Sequence, residues 1–315
     1  MALVIARCEA GPELRKKFAA WAGDGLSVEV VSEADDSRFS ALLPEAVAIL
    51  HILKWIGPEV FAAAPRLRLV QKIGVGVNTI DLVAAASRGV AVCNMPGTNT
   101  RAVAEMTLAL MLAALRRVGR YDRLARRRDG WLLPPGAEAT LGEIGGRRIG
   151  LVGAGAVPRH LAPILAAMGA DVTYWSRREN PALRARFVGF EELLAESDVL
   201  SLHVPLTPDT ERLLDQKAFA AMKLGAVLVN TARGGLVDEG ALLAALDSGR
   251  LSAAGVDVLA LEPPQDGHPL LARDDVVVTP HIAWLTAETW DRSLGIAREN
   301  VLHALRGEAL LHRVA

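Results

Sequence analysis

Residues 153–158 read Gly-Ala-Gly-Ala-Val-Pro, after the apolar run Ile149-Gly150-Leu151-Val152 and ahead of a stretch able to form a helix. Their spacing could hold a phosphate. In a strand–turn–helix unit with the pattern G-x-G-x-x-G, the first glycine permits the tight turn and the second lets the backbone approach a pyrophosphate. The third allows the helix to pack closely on the strand. Gly153 and Gly155 supply the first two, Ala154, Ala156 and Val157 would present amides beside them, and Pro158 stands where the third belongs. A proline in the first helical turn loses no needed N–H and has a φ suited to a helix, so the loop can still offer amides to an anion. Pro158 is expected to push the following helix slightly off its sheet. On these residues alone, a structural turn is an equal reading.

A second signal lies 23 residues after Gly153, where the strand-like "VTYWSRR" ends at a position that in NAD sites carries an acidic residue for the adenosine ribose. Here Ser176, Arg177 and Arg178 replace it. A carboxylate would repel a ribose phosphate, whereas serine and arginine hydrogen-bond and neutralise one. These residues predict NADP as the preferred cofactor, with NAD as the alternative; ordinary surface arginines are the competing reading.

The surrounding elements fit such a site. In the first hundred residues "LVIARC", "VEVV", "AVAIL", "RLVQKIG" and "VAVCN" read as strands between helix-like segments. Then "NTRAVAEMTLALMLAALRRVGRY" predicts one helix of about five turns, with Asn99 or Thr100 as N-cap and basic residues at its C-terminal end. After the loop "DGWLLPPGAEATLGEIGG", the strands "RRIGLVG", "ADVTYWS", "DVLSLHV", "AVLVNTA", "AAGVDVL" and "DVVVTPH" alternate with helices, which implies a parallel, doubly wound sheet. A last helix is predicted from about Trp284 to Val301. Long helices on both sides of the βαβ run suggest that a Rossmann domain, residues 100–283, is inserted into a flavodoxin-like substrate domain made of residues 1–99 and 284–315.

Bulk properties exclude several alternatives. A chain of 315 residues with 51% hydrophobic side chains can build two cores, and a net charge of −1 gives no general attraction to nucleic acid or membranes. The seven arginines between Arg116 and Arg128 have a single aromatic among them, Tyr121, are interrupted by Asp122, and read as a solvated or subunit-facing surface. Cys8 and Cys93 match no metal spacing or disulfide framework and read as buried thiols. No signal peptide or membrane span is apparent, so the expectation is a cytoplasmic protein with no metal, nucleic-acid or membrane partner.

Three longer stretches carry a family resemblance: "SDVLSLHVPLTPDTERLLD" (197–215), "MKLGAVLVNTARGGLVDEGALLAAL" (222–246) and "AAGVDVLALEPP…VVVTPHIAW" (253–284). With "KIGVGVNTIDL" and "NMPGTNTRAVAE", they resemble the signature segments of the D-isomer-specific 2-hydroxyacid dehydrogenases. The resemblance implies the inserted-domain architecture, a homodimer formed through the nucleotide-binding domain, and a catalytic trio of Arg233, Glu262 and His281. In this chemistry, hydride transfer to a 2-oxo acid puts negative charge on the carbonyl oxygen, so a proton donor is needed there. His281 suits that role, Glu262 would fix its tautomer and favour its charged form, and the Arg233 fork would clamp the substrate carboxylate and polarise the carbonyl.

Other roles follow by the same transfer. The loop of Gly74, Val75, Gly76 and Val77 would hold the substrate carboxylate through its amides, and His203, Val204 and Pro205 would flank the adenine. Thr231, Ala232 and Asp257 would surround the nicotinamide, with Asn99 and Thr107 as weaker candidates. Two residues depart from the family pattern. Trp284 stands where many relatives have glycine and would wall the substrate pocket or pack between domains, and Lys54 would meet an anionic substrate or only solvent.

The function expected is reduction of a small 2-oxo acid, such as glyoxylate or hydroxypyruvate, to a D-2-hydroxy acid by NAD(P)H. The sequence shows no appended regulatory segment of the kind found in some serine-pathway relatives, which argues against phosphoglycerate, and Glu262 in place of glutamine argues against formate. The alternative is a non-catalytic, dinucleotide-sensing corepressor-like protein.

Overall fold

The computed structural model describes residues 1–127, 130–131 and 133–315. Arg128, the last of the seven arginines, and Asp129 and Leu132 of the following loop lie outside the described residues. The chain divides into two compact units, Met1–Asn99 with Thr286–Ala315, and Thr100–Leu285. The second unit interrupts the first in sequence. Trp284 therefore belongs to the inserted unit.

The first unit begins β1 (Ala2–Arg7), α1 (Pro12–Ala19), β2 (Leu26–Val31), α2 (Asp36–Leu42), β3 (Ala46–His51), α3 (Pro58–Ala63), β4 (Leu69–Lys72), α4 (Leu82–Ser87) and β5 (Ala91–Cys93). The helices start where the sequence supplies starts. Pro12 and Pro58 occupy first-turn positions, and the Asp35 and Asp81 carboxylates accept the amides of Arg38 and Ala84 at 2.9 and 2.8 Å. The strands are wholly parallel in the order β2-β1-β3-β4-β5. Every residue of β3 is buried, as a parallel strand covered on both faces requires.

The inserted unit contains α5 (Thr100–Leu115), α6 (Val118–Ala125), β6 (Arg148–Val152), α7 (Ala156–Ala167), β7 (Asp171–Trp175), β8 (Arg186–Phe187), α8 (Phe190–Glu196), β9 (Val199–Leu202), α9 (Gln216–Ala221), β10 (Ala226–Asn230), α10 (Glu239–Asp247), β11 (Leu251–Val256) and β12 (Val276–Val278). Its seven parallel strands run β12-β11-β10-β9-β6-β7-β8. Alternation along the strands divides the core between two faces. Val227 and Val229 join Ile149 and Leu151 in one cluster with residues of α5 and α7, while Ala226 and Leu228 join Val152 in another with residues of α8, α9 and α10. This is a doubly wound sheet with apolar strands buried on both sides. The chain ends in α11 (Ala287–Arg306) of the first unit.

Three expectations are corrected. The single helix over 99–121 is two, because Arg117 takes a left-handed conformation (φ 53°) that breaks the helical ladder, and its guanidinium turns inward to the carbonyl of Ser252 rather than to solvent. The last helix begins at Ala287, three residues later than expected, because the Thr286 hydroxyl caps it by accepting the Thr289 amide at 3.1 Å. Pro158 does not loosen α7: Leu161, Ala162 and Leu165 are fully buried, and the proline ring itself is buried in the first turn, where no N–H is missed. The two-residue edge strand β8 has no counterpart in the sequence reading, since it is too short to show alternation.

Candidate active site

The inserted sheet reverses its order between β6 and β9, and ligands bind open α/β sheets at the carboxyl ends beside such a reversal. Gly153 to Pro158 follow β6 at that point. Gly153 has φ +118°, and a Cβ built on it would lie 2.6 Å from the backbone oxygen of His203, so no side chain is tolerated. Gly155 caps α7 without a side chain, and nothing stands within 4 Å of where its Cβ would be. The amides of Ala156 and Val157 therefore head an uncapped twelve-residue helix, and Pro158, third in line, has no N–H to leave idle. These residues fit a dinucleotide pyrophosphate.

Asn180 is a residue that the sequence reading misses. Its side-chain amide donates to the Ala154 carbonyl at 2.7 Å, and its backbone exchanges hydrogen bonds with the Tyr174 hydroxyl at 2.9 and 3.2 Å. This clasp fastens the phosphate loop to the turn after β7; the only sequence trace of it is the Asn180-Pro181 turn signal. Ser176, Arg177 and Arg178 form that turn, where the Ser176 hydroxyl donates to the Arg178 carbonyl at 2.5 Å. Both arginines are exposed and form no ion pair among the described residues. After β9, the His203 ring bonds the Ser201 hydroxyl at 2.9 Å, and desolvation lowers its pKa, so it is neutral. Val204 and Pro205 follow it toward solvent.

The trio stands at the carboxyl ends of three adjacent strands: Arg233 after β10, Glu262 after β11 and His281 after β12. His281 Nδ1 lies 2.6 Å from Glu262 Oε2, with side-chain exposures of 17% and 30%. Glu262 Oε1 accepts the Leu259 amide at 3.0 Å. Desolvation raises the glutamate's pKa, but the hydrogen bond and charge of His281, the Leu259 amide and Arg233 outweigh it, and the carboxyl is held below its ordinary value. Arg233 is half-buried, and desolvation lowers its pKa against the opposing charge of Glu262.

His281 has φ +55°, a conformation costly for a side chain with a Cβ, and a dense set of contacts holds it there. Its amide donates to the Asp257 carbonyl at 2.8 Å. The Asp257 carboxylate accepts the Thr279 hydroxyl at 2.5 Å and the Ile282 and Ala283 amides at 2.9 Å each. Asp257 is 1% exposed, and its burial raises its pKa against these bonds. The aspartate placed near the nicotinamide by resemblance thus also builds the turn that aims His281. Asn230 does the same for Arg233: its side chain accepts the Ala232 amide at 3.0 Å and donates to the Arg233 carbonyl at 2.9 Å. Thr107 and Thr231 meet hydroxyl to hydroxyl at 2.8 Å, tying α5 to the same turn.

Gly234 adds a steric condition. A Cβ there would fall 1.9 and 2.0 Å from the Leu259 carbonyl carbon and oxygen, inside the loop that leads to Glu262. Gly234→Ala is expected to displace that loop and cut kcat on the order of 10²-fold, since a misplacement near 1 Å has that scale of effect. Steady-state kinetics beside a thermal melt checks this; unchanged kcat would mean the loop does not position Glu262.

In the first unit, Gly74 has φ +141°, and the carbonyls of Gly74 and Val75 are taken by the Met95 amide at 2.8 Å and the Asn94 side chain at 2.9 Å. The amides of Val75, Gly76 and Val77 donate to no described residue. Asn99 ends the first of the two segments that make up the first unit, and its side chain makes no hydrogen bond among the described residues. Lys54 does not stand free: its Nζ holds both oxygens of Asp36 at 2.7 Å and the Glu33 carbonyl at 3.0 Å. Trp284 is half-buried two residues after the Ile282 amide anchored on Asp257.

Residues 108–283 match the family model for the D-isomer specific 2-hydroxyacid dehydrogenase, NAD binding domain. The chain belongs to the D-isomer-specific 2-hydroxyacid dehydrogenase family. It is 40% identical over 292 residues to a glyoxylate reductase of Aeropyrum pernix, covering 89% of this chain and 87% of that one. It is also 40% identical over 301 residues to a D-3-phosphoglycerate dehydrogenase of Mycobacterium leprae, covering 94% of this chain but 56% of the relative. The chain thus spans about half the length of the phosphoglycerate dehydrogenases it matches. Among solved structures, the TT0316 protein of Thermus thermophilus superposes with a TM-score of 0.89 at 39% identity over 100% of both chains. The matched family model is that of an NAD-binding domain, and no helix among the described residues is long and apolar enough to cross a membrane.

Proposed function

We propose that the chain reduces a small 2-oxo acid, such as glyoxylate or hydroxypyruvate, to the D-2-hydroxy acid, using NADPH in preference to NADH. The observation that carries this reading is the 2.6 Å contact between His281 Nδ1 and Glu262, on strand ends next to that of Arg233. A carboxylate on Nδ1 leaves Nε2 as the nitrogen that faces a substrate. His281 Nε2 gives its proton to the carbonyl oxygen as that oxygen becomes a hydroxyl, and Glu262 holds the ring in position and balances its charge. Arg233 pairs with the substrate carboxylate and stabilises the negative charge growing on the carbonyl oxygen. The dinucleotide supplies the hydride. Val75, Gly76 and Val77, with their uncommitted amides, are assigned to the substrate carboxylate, and Trp284 to the substrate's side chain, where its bulk favours small acids.

The cofactor is assigned to Gly153, Ala154, Gly155, Ala156 and Val157 for the pyrophosphate, to His203, Val204 and Pro205 for the adenine, and to Thr231, Ala232 and Asp257 for the nicotinamide end. Ser176, Arg177 and Arg178 are assigned to a ribose phosphate, a reading supported by two exposed guanidiniums without ion-pair partners among the described residues. Ser176→Asp is expected to move the ratio of kcat/KM for NADPH over NADH toward NADH by roughly tenfold to a hundredfold, the scale of one charge-assisted hydrogen bond lost to repulsion. An unchanged ratio would refute this assignment.

The protein is further proposed to work in the cytoplasm, where its two buried, unpaired thiols would stay reduced, and as a homodimer through the inserted unit. Exposed Val118, Trp131 and Leu133 beside the arginine-rich segment support that interface. The reading as a whole is tested by following oxidation of NADPH and NADH with glyoxylate, hydroxypyruvate, pyruvate and phenylpyruvate. No turnover with any of them, and no thermal stabilisation by either cofactor, would defeat it.

A further inference from the structure

The first unit's sheet has a reversal of its own. In the order β2-β1-β3-β4-β5, the chain leaves β1 toward β2 on one side and returns to β3 on the other, so the connections diverge at the carboxyl ends of β1 and β3. Open parallel sheets bind ligands at such a point. A cavity of about 480 Å³ lies there, between α2 and α3, lined by Arg7 from the end of β1 and Lys54 from just beyond β3. That volume falls in the range of small-molecule sites, about 300–1,000 Å³. None of its lining residues takes part in the reaction proposed above.

The floor of the cavity holds a cation with too few partners. Arg7 is 2% exposed, its guanidinium carbon stands 3.8 Å over the ring of Phe39, and one terminal nitrogen bonds Asp36. Arginine carries five N–H donors, yet the buried Nε of Arg7 finds no acceptor among the described residues. A donor buried without an acceptor is costly, and native proteins keep few of them. The rest of the floor, Phe39, Leu43 and Val60, is apolar and buried.

The mouth carries both signs of charge. Asp36 is committed to Arg7 and Lys54, whereas Glu59 is exposed and makes no ion pair among the described residues. With Arg7 and Lys54 against Asp36 and Glu59, the lining is formally neutral. A simple anion would satisfy Arg7 but be repelled by Glu59, and a simple cation would meet the reverse. A zwitterion matches both.

We propose that this cavity binds a small zwitterionic α-amino acid with an apolar side chain. The carboxylate pairs with the guanidinium of Arg7 where it lines the cavity, the ammonium meets Glu59, and the side chain lies on Phe39, Leu43 and Val60. Calorimetric titration of the full-length chain tests this with leucine and its two halves, 4-methylpentanoate lacking the ammonium and 3-methylbutylamine lacking the carboxylate. Leucine should bind more tightly than either half. Glu59→Gln, at an exposed position, should weaken leucine about tenfold to a hundredfold while binding 4-methylpentanoate at least as tightly as before, since the repelling charge is gone. Ser40→Trp, on the exposed rim, should close the mouth and abolish binding of both. Absence of leucine binding, equal affinity for 4-methylpentanoate, or leucine binding indifferent to both variants would each overturn the proposal. These readouts need no turnover, so they stand apart from the fate of the proposed reaction.

Discussion

His281→Ala should lower kcat by roughly 10²–10⁴-fold, the range typical of a positioned general acid, while NADPH affinity changes little. The asymmetry follows from where the side chain points. His281 reaches Glu262 rather than the glycine loop, and the backbone that shapes its turn is held by Asp257, whose bonds to the Ile282 and Ala283 amides and the Thr279 hydroxyl survive the substitution. Alanine adds no bulk at the left-handed φ of 55°, and whatever that φ costs it falls on a turn still held by Asp257. Single-turnover rates beside fluorescence titration of NADPH separate the two effects. A variant that binds NADPH and keeps near-normal turnover would remove His281 from the chemistry.

Arg233→Met should be still more damaging in kcat/KM, because two roles are lost together. Without a cation at the developing oxyanion, kcat should fall roughly 10²–10³-fold. Without a partner for the substrate carboxylate, KM should rise by about tenfold to a hundredfold. Methionine fills much of the same half-buried space, and the turn remains fixed by Asn230 through backbone groups of residues 232 and 233. The loss should therefore appear in kinetics rather than in the melting temperature. A rise in KM alone, with kcat intact, would limit Arg233 to binding.

The parts legible in the sequence were those with a local physical signature. Apolar runs such as Ala46–His51 and Ala226–Asn230 fit strands covered on both faces, and their alternation with helices dictates parallel sheets. Gly153 announced itself by its spacing, and the structure supplies the reason, a backbone oxygen of His203 where its Cβ would be. Contacts distant in sequence left no such trace. Asn180 bracing Ala154, Gly234 against Leu259, Asn230 closing the Arg233 turn and the Thr107–Thr231 pair depend on which strands end side by side. Arg117 misled because helix propensity cannot reveal that one residue will turn left-handed to reach the Ser252 carbonyl. Lys54 was likewise unreadable, since its partner Asp36 comes from another βα unit.

The central claim is hydride delivery to the carbonyl carbon of a 2-oxo acid with proton delivery from the His281 side. It is tested most directly by incubating the protein with hydroxypyruvate and NADPH deuterated at the transferring position, then analysing the glycerate by mass spectrometry and chiral chromatography. The account predicts one deuterium on C2 and the D configuration, with the yield of labelled glycerate from His281→Ala falling in step with its turnover. Glycerate without deuterium, glycerate of L configuration, or no glycerate from a protein that binds NADPH would contradict it.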